Sequence, residues 1–277
     1  MKLAMVDDKI ASFEELDPVH FDRGIYFGDG VYEVLRSYNG KIFALEQHMQ
    51  RFAGSLAAIR ITNIDIATVR ERVERAFKTA GFANAKIYFH VTRGSEPRSH
   101  TWKPDLKPNF FLTVSELVDH PEEKVKGIAV CTEPDLRWKR CDIKSLNLLP
   151  NILARQAAAD KGYEEAILVN DGGFITEGAG SAFFAIIKRA LQTAPLSANI
   201  LPSITRQFVT RAAKNSGLAI EEGCLTPKQA ASADELFIAV TTKDIVPVVR
   251  FDNATIGDGR PGSCTKALMA EFRKFTI

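Results

Sequence analysis

Polar and apolar residues alternate through "GVYEVLRSYNGKIF" (residues 30–43), and the alternation turns over at Asn39-Gly40, so the pattern predicts a β-hairpin with a type I′ turn. Helical spacing takes over next. Met49, Phe52, Leu56 and Ile59 place one apolar face on a helix over residues 46–60, and Ile66, Val69, Val73 and Phe77 place another on a helix that starts near Asp65 and stops at Gly81. Two strands follow, "KIYFHVTR" (86–93) and "NFFLTVS" (109–115). The loop between them, residues 94–108, carries Pro97, Pro104 and Pro108, and unstructured loops of that length inside a domain are functional or disordered.

The stretch "ELVDHPEEK" (116–124) is polar and contains a proline, and it reads as a linker. It divides the chain into a small N-terminal α+β domain (1–118), a linker (119–124) and a larger C-terminal domain (125–277). Beyond it the pattern predicts a strand over 127–133 and a helix over 145–162 with Leu146, Leu149, Ile152 and Leu153 on one face. Strands at 166–169 and 182–187, a helix at 203–215, strands at 235–240 and 245–251 and a last helix at 264–275 complete it. The fold class is α+β or mixed α/β, a small α/β sandwich followed by a larger barrel-like unit.

Composition narrows the partners. Of 277 residues, 45% are apolar and 25% charged, which is ordinary for a globular protein. With 36 basic against 34 acidic residues the net charge is +2, so no general field draws the chain to nucleic acid or to a membrane. The basic run "RWKR" (137–140) reads as a solvated turn. No apolar run has the length of a membrane span, and "MKLAMVDDKI" does not resemble a secretory signal. The four cysteines form no CxxC pair and the five histidines show no ligand spacing, so neither a disulfide framework nor a metal site is expected, and the thiols fit a cytoplasmic protein.

Lys144 stands out because it falls at the junction of a predicted strand and an apolar helix. An ordinary lysine stays protonated to about pH 10.4, but desolvation or a neighbouring cation frees the amine for a Schiff base. A Schiff-base cofactor such as pyridoxal phosphate needs a carboxylate at its ring nitrogen and an anion site for its phosphate. "GGFITEGAGSAFF" offers Glu177, followed by small residues that let a flat ring approach. "ILPSITRQF" opens a helix whose first N–H groups, those of Ile204 and Thr205, can meet a phosphate. Thr241 and Thr242, after the apolar run "ELFIAV", add hydroxyls, and Arg51 adds a forked cation.

In this order, "FDRGIYFGDGVYEVLRSYNGKIFALEQHMQRF", "DIKSLNLLPNILARQAA", "GGFITEGAGSAFF", "ILPSITR" and "AVTTKDIVPVVRFD" resemble the fold-type IV pyridoxal phosphate enzymes, most of all the D-amino-acid aminotransferases. The resemblance covers nearly the whole chain. It implies a two-domain fold-type IV homodimer in which Lys144 holds the cofactor as a Schiff base and moves the α-proton. It implies that Glu177 partners the pyridine nitrogen, that Arg51, Ile204, Thr205 and Thr241 cup the phosphate with Thr242 beside them, and that Tyr32 lies beside the cofactor while Val34 lines the substrate side. Arg98 and His100 match an Arg-x-His pair that binds the substrate α-carboxylate from the neighbouring subunit. The activity implied is ping-pong transfer of an amino group from a D-amino acid such as D-alanine or D-glutamate to a 2-oxo acid such as 2-oxoglutarate or pyruvate. Two positions depart from the family. Ala182 follows Ser181 where an asparagine is usual, and Ser203 replaces a glycine. A branched-chain L-aminotransferase, an aminodeoxychorismate lyase or a non-catalytic binding homologue are the competing readings. Val34, where the branched-chain enzymes have glycine, and the Arg98-x-His100 pair favour the D-specific one.

Overall fold

A computed structural model describes residues 2–276. The chain opens with an antiparallel ribbon, β1 (Leu3–Val6) and β2 (Lys9–Ser12), and a short helix α1 (Arg23–Phe27). The alternating segment forms β3 (Gly30–Tyr38) and β4 (Lys41–Ile42), turning at Asn39 (φ 49°) and Gly40 (φ 81°), the two left-handed positions that a type I′ turn requires. Helices α2 (Leu45–Ala58) and α3 (Ile66–Ala80) follow. Asp65 caps α3 by accepting from the N–H groups of Ala67 and Thr68, and Gly81 ends it at φ 73°. β5 (Ala85–Thr92) and β6 (Asn109–Glu116) complete an antiparallel sheet in the order β4-β3-β5-β6. Val31, Leu35, Ile87 and Phe89 point into α2 and α3, where they meet Phe52 and Val69. Strand alternation therefore turns Tyr32, Val34 and Arg36 to the opposite face.

Residues 117–127 join this sheet to the second, and they are not a purely extended linker. Pro121–Lys126 form a helix, α4, with Pro121 in its first turn, Glu122 and Glu123 near its N-terminus and Lys124 and Lys126 near its C-terminus, a charge order that suits the helix dipole. After it come β7 (Ile128–Pro134), α5 (Leu149–Asp160), β8 (Glu165–Val169), β9 (Ile175–Gly178), β10 (Ala182–Ile187) and β11 (Ala190–Thr193). Then follow α6 (Ile204–Asn215), β12 (Ala219–Glu222), α7 (Pro227–Ala231), β13 (Glu235–Val240), β14 (Asp244–Phe251), β15 (Ala254–Thr255) and α8 (Ser263–Arg273). The strands make one mixed sheet in the order β12-β11-β10-β13-β14-β7-β8-β9, with β15 on β14. β9 and β10 are far apart in that order, yet only residues 179–181 separate them in the chain, and the Gly178 N–H donates to the Ser181 carbonyl at 2.8 Å. The sheet is therefore curled toward a barrel. Phe184, Phe237 and Ala239 pack under α6 and α8 on one face, and Phe183, Ile238 and Val246 on the other.

Around Lys144 the structure corrects the pattern. The strand ends at Pro134 and the helix begins at Leu149 rather than at residue 145, so Lys144 lies within the connection 135–148 and not directly against the helix. β4 covers β3 only at Ser37 and Tyr38, which leaves the backbone of residues 30–32 open on that edge. The connection fills the gap: Tyr32 N–H donates to the Lys144 carbonyl, Leu146 N–H donates to the Gly30 carbonyl, each at 3.0 Å, and Ser145 bridges Val31. The apolar face expected of the following helix also differs. Leu149, Ile152 and Leu153 are more than half exposed, while Ala154 and Ala158 face Cys131, Ala166 and Leu168, where small side chains let α5 lie close to β7 and β8. Among the described residues no helix is long and apolar enough to cross a membrane.

Candidate active site

Between the two sheets lies a cavity of about 230 Å³. Tyr32 and Val34 reach it from β3, Lys144 from the connection beside them, Glu177 from β9, and Thr241 and Thr242 from the turn after β13. The Lys144 ammonium stands 4.3 Å from the centroid of the Tyr32 ring. Its backbone N–H donates to Ser55 Oγ of α2 at 3.2 Å, so main-chain bonds to two elements fix where the side chain starts.

Glu177 is buried, and burial pushes its carboxyl up from the ordinary carboxylate range, opposed by the Arg137 charge and hydrogen bond and by the Leu201 N–H. Both donors bind the same oxygen. Leu201 N–H reaches Oε1 at 3.0 Å and the Arg137 guanidinium also donates to Oε1, so Oε2 takes neither bond. Arg137 is in turn held by Asp135, Nε to Oδ1 and Nη2 to Oδ2 at 2.8 Å each. The expected solvated turn is thus wrong at this residue. Arg137 is buried because a carboxylate taken out of water needs a partner, and the end of β7 delivers one beside β9.

Ser203, which also lines the cavity, caps α6 by accepting from the Arg206 N–H at 3.2 Å. The N–H groups of Ile204 and Thr205 lie ahead of the first intrahelical bond and are available to an anion. Serine in place of the usual glycine therefore supplies a cap. Arg51 lines the cavity with its guanidinium gripped by Glu33, at 2.8 Å (Nε to Oε1) and 2.7 Å (Nη2 to Oε2), while Nη1 donates to the Pro202 carbonyl at 3.0 Å. Three of its five N–H groups are used, and two remain. At Ala182 the missing amide has neighbours that hold the same turn: Asn151 donates to the Ala179 carbonyl at 2.8 Å and Ser181 to Glu165 at 3.0 Å.

Glu33 is fully buried on the core side of β3, where His48 Nδ1 lies 2.7 Å from it. Burial raises its carboxyl, but Arg51 and His48 outweigh this and bring it down to about 2 from 4.5. A carboxyl with a lowered folded-state value stabilises the fold above its unfolded value and loses that contribution as pH falls through the folded one. The urea midpoint of Glu33→Gln is therefore expected below that of the parent at neutral pH, with the gap closing between pH 4.5 and about 2. A gap independent of pH across that window would remove the ion pair as its cause.

Arg98 and His100 are not brought to this cavity. Both are exposed on the 94–108 loop, the Arg98 guanidinium 5.1 Å and the His100 ring 5.6 Å from the Phe27 ring. His100 lines a second cavity, of about 340 Å³, which adjoins the first through Trp138, Ser145 and Asn147. Ile204 and Thr205 have buried side chains and offer backbone only. Arg137, Trp138 and Asn151 were missed by the sequence reading. The available signal was position, since sites in α/β sheets gather beyond the C-terminal ends of strands, as Arg137 does beyond β7.

The sequence profile described as Amino-transferase class IV matches residues 30–251. The chain is similar to the D-alanine aminotransferase of Bacillus licheniformis, 38% identical over 246 residues that cover 88% of this chain and 87% of that protein. It is similar to the D-alanine aminotransferase of Staphylococcus epidermidis, 35% identical over 278 residues, 99% and 98% of the two chains. Among solved structures, the branched-chain amino acid aminotransferase of Escherichia coli superposes with a TM-score of 0.87 at 24% identity, covering 97% of this chain and 92% of that one. The branched-chain aminotransferase of the thermophilic archaeon Thermoproteus uzoniensis, solved with norvaline, does so at 0.83 and 24%, covering 97% and 92%. At these identities the shared feature is the fold.

Proposed function

The chain belongs to the class IV aminotransferases, and we propose that within this family it transfers the amino group of a D-amino acid, such as D-alanine or D-glutamate, to a 2-oxo acid, such as 2-oxoglutarate or pyruvate. The observation that carries the reading is Glu177, a buried carboxylate whose two donors share Oε1, in the cavity that also receives Lys144. Oε2, which takes neither bond, suits the ring N–H of pyridoxal phosphate, and Gly178-Ala179-Gly180 line the same wall with little bulk. The N–H groups of Ile204 and Thr205 and the Arg51 guanidinium suit its phosphate.

Pyridoxal phosphate, when bound, supplies an aldehyde that condenses with amines and a ring that accepts the electron pair released at the substrate Cα. Lys144 would hold it by Schiff-base formation and take the proton from Cα. Glu177 would keep the ring nitrogen protonated through Oε2, with Arg137 opposing the rise that burial imposes on the carboxyl. Arg51, the N–H groups of Ile204 and Thr205, and Thr241 would bind the phosphate, with Thr242 beside them. Tyr32 would flank the ring and Val34 the substrate.

The α-carboxylate falls to Arg98 and His100, contributed by a second copy in a homodimer. Their exposure outside their own Lys144 cavity supports this, and the outward Leu149, Ile152 and Leu153 of α5 give a second copy an apolar face to cover. The four free thiols suit the reducing cytoplasm. The position of residues 119–124 between the strands of the two sheets supports a domain division there.

Mixing the holo-protein with single D- or L-amino acids and following the cofactor spectrum tests the reading. D-alanine and D-glutamate are expected to convert the cofactor to its amine form, and 2-oxoglutarate to restore it. Preference for branched-chain L-amino acids, or no conversion with any amino acid tested, would overturn it.

A further inference from the structure

The loop that carries Arg98 and His100 is held by one buried guanidinium. Arg23, in the first turn of α1 and 3% exposed, donates through Nη1 to the carbonyls of Ser99 at 2.6 Å and Thr101 at 3.2 Å, and through Nη2 to that of His100 at 3.3 Å. Nη1 also meets Glu96 Oε1 at 3.1 Å, and Nε meets Asp29 Oδ2 at 2.8 Å. Three successive carbonyls converge on a single group, so residues 99–101 wrap around it, with Arg98 and His100 exposed on either side of Ser99. The next residue anchors the loop a second time. The Trp102 ring lies 3.9 Å from the Arg93 guanidinium, and Arg93 is itself paired with Asp29 at 2.8 Å, so one carboxylate ties both anchors together.

We infer that Arg23 is a positioning residue for substrate recognition. By fixing the carbonyls of residues 99–101, it sets the direction in which Arg98 and His100 present their cationic and N–H groups to a carboxylate. The inference rests on the reading that this pair binds the α-carboxylate. Arginine is required because the acceptors span the plane of a guanidinium, and a lysine ammonium is a single point with three donors. The charge can be buried because Glu96 and Asp29 neutralise it. A residue that only stabilised the fold would affect all substrates alike, whereas a residue that aims the clamp affects those that bear a carboxylate.

The test compares D-alanine with D-alaninamide, which keeps the reacting carbon and lacks the negative charge, in the amine half-reaction of the holoenzyme. Arg23→Lys is expected to weaken apparent D-alanine binding about tenfold while changing its limiting rate and the kinetics of D-alaninamide less than about twofold. Added to Arg98→Leu, it should cost clearly less than it does alone, because half of the clamp it aims is already gone. Equal losses with the two substrates, or a loss that simply adds to that of Arg98→Leu, would reduce Arg23 to a structural anchor and overturn the inference while the clamp stands. The same holds if Arg98→Leu weakens D-alanine binding and Arg23→Lys does not. If Arg98→Leu leaves D-alanine unaffected, the clamp reading fails and the inference with it. Should Arg23→Lys prove unfolded by thermal melting, Glu96→Gln decides. It keeps the arginine and loosens one of its acceptors, and about a threefold, D-alanine-specific weakening is expected, with no such weakening overturning the inference.

Discussion

Lys144→Ala is expected to fold, to bind pyridoxal phosphate, and to transaminate D-alanine roughly a thousandfold or more slowly than the parent, because one substitution removes both the covalent anchor and the base at Cα. The fold should survive because the bonds that place this residue belong to its backbone: its carbonyl accepts from Tyr32 and its N–H donates to Ser55. Binding should survive because the anion donors owe nothing to Lys144. Arg51 is set by Glu33 and Pro202, and α6 opens on its own serine cap. Borohydride reduction of the parent holo-protein followed by peptide mapping should place the cofactor's mass on Lys144. Label on another lysine, or a variant that turns over near the parental rate, would end the assignment.

The lysine was recognisable in the sequence, but its surroundings were not, and the difference is physical. α3 was legible because its start and stop are local: Asp65 meets N–H groups two and three residues on, and Gly81 takes the left-handed conformation that ends the helix. The hairpin at Asn39-Gly40 was legible for the same reason. The connection 135–148 takes its course from the open edge of β3, a hundred or so residues earlier in the chain, and no local pattern reports that. Helical spacing put Leu149, Ile152 and Leu153 on one face of α5, but which face the sheet covers is decided by how closely the backbones approach, and alanine won. Arg137 looked like part of a basic turn because its partner Glu177 is distant in sequence. Glu33 did leave a local trace, an acid in phase with inward Val31 and Leu35, which demands a buried cation. The roles of the site residues came from the order of motifs in a resemblance, since cavities assembled from six separate segments have no spacing of their own.

Arg98→Leu is expected to lower kcat/KM for D-alanine by roughly ten- to a hundredfold, since a charge-assisted bond to a carboxylate contributes about 1.5–3 kcal/mol. Whose carboxylate it serves is the sharper question. In its own chain Arg98 lies outward against Phe27, away from Lys144, while His100 faces a cavity that adjoins the Lys144 cavity at Trp138, Ser145 and Asn147. Mixing two impaired variants separates the possibilities. In a heterodimer of Arg98→Leu with Lys144→Ala, a clamp that crosses the interface puts both defects on one site and leaves the other with an intact lysine and an intact clamp. Random subunit exchange at equal concentrations should then restore about a quarter of the parental activity, because half of the dimers are mixed and each has one working site. A clamp that serves its own chain leaves every site with one defect, and the mixture stays at the average of its parts. Recovery after verified exchange places the carboxylate site across the subunit boundary. Its absence, with Arg98→Leu still impaired, assigns the loop to its own cavity by way of His100 and removes the need for a second copy in substrate binding.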